Sequence, residues 1–357
     1  LNLVSQKWSR EVHLHIGTLN QLSQCKEDLQ QRRMLKEVTA DPCNKPVINF
    51  VLTGDGKYTI PLTVVMTSIL ENTNNNHWCK FYLFVDEFPL EQKNIIKRLL
   101  HYYPCSIEFV EMGRYMDLFK AADPSTFENK HVSMACYYRL LIFKLLPDLI
   151  DECFYVDGDM IVDTDLSLIS GRDSIASVVV ESFAMENKKT VLSHLYHLDE
   201  FNNFVTDPLK YPYFNAGFLR LNLKRCKEEQ IWEKIYSLFC KNSSMPFADQ
   251  DLLNAILGQQ YADELDYLPP EYNVFCASTI DHSKGHIGSY YSQEDTIRAY
   301  NRPYIYHYAG PEKPWFYPIC QYYDKWWHYA EKSPVCEELL NLVSQKWSRE
   351  VHLHIGT

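Results

Sequence analysis

Nowhere in this 357-residue chain do about 18 apolar residues run uninterrupted, so the sequence offers no membrane-spanning helix. It also lacks the charged-then-apolar opening of a secretory segment. It starts at Leu1 rather than Met, which leaves room for an upstream portion. Basic charge is in deficit: 35 Lys and Arg stand against 46 Asp and Glu, a net charge of −11 with an isoelectric point near 5.6. Without a basic stripe, nucleic acid is excluded as the expected partner. A phosphate ligand is not excluded, because a divalent cation inverts the sign locally. None of the eleven cysteines sits in a CxxC pair and their number is odd, which argues against a disulfide scaffold or zinc site and for buried thiols in a reducing cytoplasm. Low-complexity tracts are missing as well.

What is present is apolar and aromatic content, 46% and 14%, enough for one large or two modest domains with a real core. Residues 1–18 recur identically at 340–357. Two explanations stand side by side: a tandem array in which the segment precedes each module, or a joining of segments in assembly or cloning of the gene. Residues 19–40 are polar and read as an exposed helical linker ended by Asp41-Pro42. From Val47 the texture changes to strands at 47–52, 81–85, 106–110 and 152–156, alternating with helices at 61–72, 90–103 and 134–146. Further strands are expected at 178–181 and 217–223, and helices at 228–241 and 249–258. This alternation predicts a doubly wound α/β sheet with ligands at the strand C-terminal ends. Beyond about 262 the pattern loosens into Pro- and Tyr-rich loops. The expected division is a helical or linker segment over 1–46, a catalytic domain over 47–317 and a C-terminal tail over 318–357.

The chemistry concentrates where an apolar strand, Phe154-Tyr155-Val156, runs into Asp157-Gly158-Asp159. In extended geometry residues two apart point the same way, so both carboxylates could face one hard cation. Asp-Gly is equally a turn signal, and the pair alone does not decide between the two. Thr53-Gly54-Asp55 closes the first strand, where Gly54 allows close approach of a planar ring and Asp55 can accept hydrogen bonds from a pyrimidine. Arg139 suits a buried pairing with acids. His307 supplies an imidazole, a ligand type that suits Mn²⁺ better than Mg²⁺. Gly310 leaves backbone N–H groups near phosphate, Lys313 is a compact positive charge and Trp315 could cap the loop. Asp249-Gln250-Asp251 reads either as substrate contact or as an N-cap on the apolar helix that follows.

Six blocks stand in a fixed order: LTGDGKY at 52–58, HVSMACYYRL at 131–140, YVDGDMIV at 155–162, YFNAGFLRLNL at 213–223, ADQDLLN at 248–254 and HYAGPEKPW at 307–315. In this the chain resembles glycosyltransferase family 8, the bacterial lipopolysaccharide and lipooligosaccharide galactosyl- and glucosyltransferases, over roughly residues 47–317. The resemblance implies a GT-A type nucleotide-sugar-binding fold, a mixed doubly wound sheet with an irregular C-terminal region. It implies UDP held by Thr53, Gly54, Asp55 and Tyr58, with Lys57 standing where many relatives have Asn. It implies Mn²⁺, or Mg²⁺, on Asp157, Asp159 and His307, with Gly158 in the same turn and Gly310 and Lys313 at the phosphates. His131 and Val132 would line the cleft, and Arg139 would contact the donor sugar. Asn215, Ala216 and Asp249 would sit at the sugar, with Gln250 on the face opposite the leaving group. The catalytic set is then Gln250, Asp249 and Arg139. Glu181 stands where relatives commonly place an Asp, which leaves its role open.

The expected activity is transfer of a hexose from UDP-glucose or UDP-galactose, with retention, to a glycan, lipid-linked (lipopolysaccharide) or glycoprotein acceptor. Two alternatives are a nucleotide-sugar- or carbohydrate-binding module without turnover, and a nucleotidyltransferase. The latter lacks a Gly-rich, Lys/Arg-bearing loop after the first strand. The aromatic run Trp326-Trp327-His328-Tyr329 is followed by Glu331, Glu337 and Glu338, which weakens docking on anionic lipid. A cytoplasmic enzyme with at most weak peripheral contact to the inner face of the bacterial membrane is expected.

Overall fold

The structure is a computed structural model that describes residues 45–86, 88–119, 134–181, 212–241, 247–276, 290–316, 320–335, 338–339 and 341. The expectations for residues 1–44, for His131 and Val132, and for the duplicated terminal segment lie outside these residues. Strand β1, Val47–Asp55, is an apolar run that pairs in parallel with β2 (Trp78–Asp86) on one side and β4 (Glu152–Val156) on the other. A strand covered on both faces needs no polar alternation, which is why β1 reads as continuous hydrophobicity. β3, Cys105–Glu111, extends the sheet in parallel beyond β2. On the other flank β7 (Phe214–Asn222) runs antiparallel to β4 and to β6 (Ala176–Val180), and the short β8 (Leu265–Tyr267) closes the edge. The order is β3-β2-β1-β4-β7-β6-β8, a mixed α/β sheet of seven strands. Phe81, Phe50, Phe154 and Phe218 stack across β2, β1, β4 and β7, with successive ring centroids 5.2, 5.7 and 6.3 Å apart.

Helix α1, Thr59–Asn72, packs Leu62, Val65, Met66 and Ile69 into the core on that face. A second sheet of three strands leans on α1: β5 (Met160–Val162), β10 (Ile305–His307) and β9 (Val274–Phe275), in the order β5-β10-β9. Residues after 262 are therefore not loops alone. They include these short strands, a helix over Gln293–Asn301 opened by a Ser292/Asp295 capping box, and a helix over Tyr323–Lys332 that packs on α1. Strands of two or three residues are too short for periodicity to reveal. Trp326 is wholly buried, and Trp327 and Tyr329 are nearly so. The aromatic run weighed as a membrane-docking tail thus belongs to the core, which continues past residue 317. Among the described residues no helix is long and apolar enough to cross a membrane.

Two expected helices are wound differently. The 134–146 segment is a 3₁₀ helix over Met134–Leu141 with only Ile142–Leu145 α-helical. Tyr137 through Phe143 are all buried, so packing on every side overrides the α preference of this sequence. The 249–258 segment is α-helical over Asp249–Leu253 and then widens to a π turn over Asn254–Gly258. The Asn254 amide thereby reaches β7, accepting from Phe214 N–H and donating to Phe214 C=O, both at 2.8 Å. Residues 223–241 are two helices, broken at Gln230 with φ of 53°. Of the eight described cysteines, six are buried and none is disulfide-bonded, as free thiols in a core would be.

Candidate active site

The chain leaves the large sheet at Val156 and enters the small one at Met160, and Asp157-Gly158-Asp159 is the joint between them. It is a turn, with Met160 N–H donating to Asp157 C=O at 3.3 Å. The alternation expected of an extended strand is therefore not what aims the two carboxylates. The turn does so together with the ladder that follows: β10 pairs antiparallel to β5 with His307 opposite Met160, and Tyr308 N–H donates to Asp159 C=O at 2.9 Å. That register carries the imidazole to the acids. One donor atom from each of Asp157, Asp159 and His307 falls within 4.8 Å of the others, and His307 Nε2 stands 3.5 Å from Asp159 Oδ1 and 3.9 Å from Asp157 Oδ2. Donors about 2.1 Å from a six-coordinate ion lie ~3 to ~4.2 Å apart, so two carboxylates and an imidazole at these separations fit a divalent cation.

A cavity opens beside this joint, lined by Thr53, Gly54, Asp55, Tyr58, Ala135, Cys136, Arg139 and the Asp157–Asp159 turn. Asp55 caps the short turn after β1, accepting from Lys57 N–H at 2.9 Å. The Lys57 side chain is exposed and does not line the cavity. Gly54 packs against Leu62 and Tyr58. Trp315 meets the Tyr58 ring edge-on at 6.1 Å, and Lys313 Nζ donates to Asp159 Oδ2 at 2.5 Å and to Tyr308 C=O at 2.7 Å. Gly310, at a φ of +87°, supplies the left-handed bend that lets this loop fold back.

Arg139 is the centre of the opposite wall. Its Nη2 lies 3.1 Å from Asp157 Oδ1 and its Nη1 donates to Ala216 C=O at 2.6 Å. The guanidinium rests 4.6 Å from the Tyr155 ring centroid. Nε stands 2.7 Å from Asp249 Oδ2, but its N–H is aimed at Cys136 C=O, 3.1 Å away. Asp249 Oδ2 therefore has a charge contact and no hydrogen bond. Burial pushes the Asp249 carboxyl up to about 7, against the pull of Arg139. Asp157 is likewise pushed up by burial, opposed by Arg139 and reinforced by Asp159. Asp159 is largely shielded from solvent as well, yet the Lys313 ammonium holds it well below the usual carboxylate range. Two acids two residues apart are thus driven in opposite directions, Asp157 upward by burial and Asp159 downward by Lys313.

The Asp249-Gln250-Asp251 block divides its labour. Asp251 fixes the helix start, accepting from Phe247 N–H at 2.8 Å and Tyr213 Oη at 2.7 Å, while the cap position itself is Ala248 at a φ of 53°. Gln250 Oε1 accepts from Ala216 N–H at 2.9 Å and Asn215 Nδ2 at 3.1 Å. Asn215 also donates to Glu181 Oε2 at 2.7 Å.

Three residues that sequence reasoning missed complete the site. Tyr155 donates to Asp157 Oδ1 at 2.5 Å and shares a 3.0 Å hydrogen bond with Thr53; it stands two residues before Asp157, so alternation along β4 was the available signal. Asn273 stands 2.9 Å from His307 Nδ1, just before a two-residue strand that gave no signal. Gly217 sits under the candidate cation site: a Cβ there would lie 2.7 Å from His307 Cε1 and 2.8 Å from Asp157 Oδ2. Neither ring nor carboxylate can yield without leaving its place, so Gly217→Ala is expected to weaken Mn²⁺ binding about 10- to 100-fold, the range seen when a ligand's support is lost. Titration of Mn²⁺ by electron paramagnetic resonance checks this, and unchanged affinity would show that the ligands are not held against Gly217.

The profile of glycosyl transferase family 8 matches residues 49–318. A putative glycosyltransferase of Haemophilus influenzae is 28% identical over 58% of this chain, and the match spans 59% of that protein. A lipopolysaccharide 1,2-glucosyltransferase of Escherichia coli is 26% identical over 73% of this chain and 71% of its own length. Among solved structures, the galactosyltransferase LgtC in complex with donor and acceptor sugar analogues superposes with a TM-score of 0.59 at 19% identity, covering 80% of this chain and 96% of that one. At that identity the likeness carries the GT-A fold and nothing finer.

Proposed function

The chain belongs to glycosyltransferase family 8, and from that membership we propose that it transfers a hexose from a UDP-sugar to a glycan-bearing acceptor with retention at the anomeric carbon. The observation that carries this reading is the convergence of Asp157, Asp159 and His307 beside a cavity walled by Thr53–Tyr58 and Arg139. These three would hold a divalent cation, Mn²⁺ by the preference of an imidazole-containing set, and it would supply charge neutralisation for a departing diphosphate. On this reading Asp55 and Tyr58 would receive a uracil ring, and Lys313 would turn its charge from Asp159 to the phosphates. Asp249 and Asn215 would, on the same reading, serve the sugar.

On this reading Gln250 argues against a covalent intermediate. Its Oε1 already accepts two hydrogen bonds, and an amide so engaged is a poor nucleophile. In this proposal its dipole would face the positive charge developing on the sugar, and the acceptor hydroxyl would attack from the leaving-group side. The donors named for the relatives, glucose in one and galactose in another, set the first two sugars to try. The lipopolysaccharide substrate of the Escherichia coli relative makes lipid-linked glycan the first acceptor class.

Incubation with Mn²⁺ and UDP-glucose or UDP-galactose, read by UDP release and by NMR of the anomeric proton of the product, is the test. Metal-dependent release with a product of the donor's configuration is expected. Clean inversion would refute the role given to Gln250, and binding of UDP-sugars without any release across a donor screen would make the chain a binding module.

A further inference from the structure

A chain of amide hydrogen bonds runs from β7 to the imidazole, and its polarity is fixed at one end by the backbone. Gly217 N–H can only donate, and it donates to Asn215 Oδ1 at 2.9 Å. This orients the Asn215 amide, so its Nδ2 faces Glu181 Oε2 at 2.7 Å and Gln250 Oε1 at 3.1 Å, both acceptors. Asn273 is bound to the same Asn215 Oδ1 at 2.8 Å and must present its Nδ2 there. Its Oδ1 is then left to face His307 Nδ1, at 2.9 Å. An oxygen with only lone pairs demands a proton on the ring nitrogen opposite.

We propose that Asn273 is a positioning residue that holds the neutral His307 ring in its Nδ1–H tautomer, so that Nε2 presents a lone pair toward Asp157 and Asp159. The opposite tautomer would set the Asn273 oxygen against a bare nitrogen at 2.9 Å, in exchange for a contact of Nε2–H with Asp159 Oδ1 at 3.5 Å, which is long for a hydrogen bond. The geometry therefore prepares the ring as a ligand before any cation arrives. Glu181 acquires a structural reason: its carboxylate receives the Asn215 amide from the far side and keeps that amide from turning over. Asn215 thereby serves both His307, through Asn273, and Gln250. The inference rests on the reading of Asp157, Asp159 and His307 as a cation site.

The test uses the full chain, metal-free, with ¹⁵N-labelled histidine. Long-range proton–nitrogen correlation spectra of the neutral ring, with His307→Gln to assign the resonance, are expected to show the proton on Nδ1. Asn273→Ala is expected to lose that single tautomer and to bind Mn²⁺ alone about 10- to 100-fold more weakly by electron paramagnetic resonance. Asn273→Leu, which fills the space without offering an acceptor, is expected to bind Mn²⁺ as weakly as Asn273→Ala, whereas under a merely space-filling role it would restore most of the affinity. An Nε2–H ring in the unaltered protein, or an Asn273→Ala variant that binds Mn²⁺ as tightly as the original, would overturn the proposal. An Nδ1–H ring in a protein that binds no Mn²⁺ would leave the positioning intact and reject the cation site instead.

Discussion

Asp159→Asn is expected to lower metal-dependent hexosyl transfer on the order of 10³-fold, because the charge that holds the cation is removed while the shape is kept. Lewis-acid stabilisation of a departing diphosphate is worth several kcal/mol, and each ~1.4 kcal/mol is tenfold in rate. The cost to folding is small by comparison. The amide introduced by the substitution still offers an oxygen to Lys313, whose ammonium also keeps its 2.7 Å bond to Tyr308 C=O. Two controls separate chemistry from collapse. The circular-dichroism spectrum should remain that of the original protein, and stripping the original protein with EDTA should reproduce the same loss without adding to that of Asp159→Asn. Full activity of the variant would remove Asp159 from the machinery.

Arg139→Met is expected to destabilise the protein by about 3–5 kcal/mol, the cost of leaving buried acids without their partner. Arg139 is 7% exposed and serves Asp157, Asp249, Ala216 C=O and Cys136 C=O together. Methionine matches the stem of the side chain but answers none of these. Arg139→Lys should fall well short of the original, because one ammonium cannot span positions that a planar fork reaches at once. Adding Asp249→Leu to Arg139→Met should restore part of the loss by deleting one of the stranded acids, a coupling that a double-mutant cycle in urea isolates. Additivity of the two changes would show that Arg139 and Asp249 do not depend on each other.

The sequence was readable where burial is continuous and where local chemistry is marked. β1, β2 and β4 are apolar runs covered on both faces, and a doubly wound α/β sheet follows from them. The strands of the small sheet escaped because two or three residues carry no period, and that sheet is what brings His307 to the acids. Asp157-Gly158-Asp159 was legible as a turn or as a ligand pair, and it is a turn whose two acids converge; what chooses the geometry is the pairing of His307 with Met160, which lies in the ladder and not in the motif. Asn215 and Gln250 were legible only as parts of a familiar block. Beside them Asn254, the first residue of a π turn that no propensity foretells, ties the helix to β7 through Phe214. Asn273 carried no local signal, since its role is set entirely by what the fold places beside it.

Anomalous scattering at the manganese edge from crystals grown with Mn²⁺ and UDP tests the central assignment most directly. The structure predicts one strong peak within bonding distance of carboxylate oxygens from Asp157 and Asp159 and of His307 Nε2, with the uracil against Asp55 and Tyr58. A peak elsewhere, or UDP seated in this cavity with no metal on the three ligands, would contradict it.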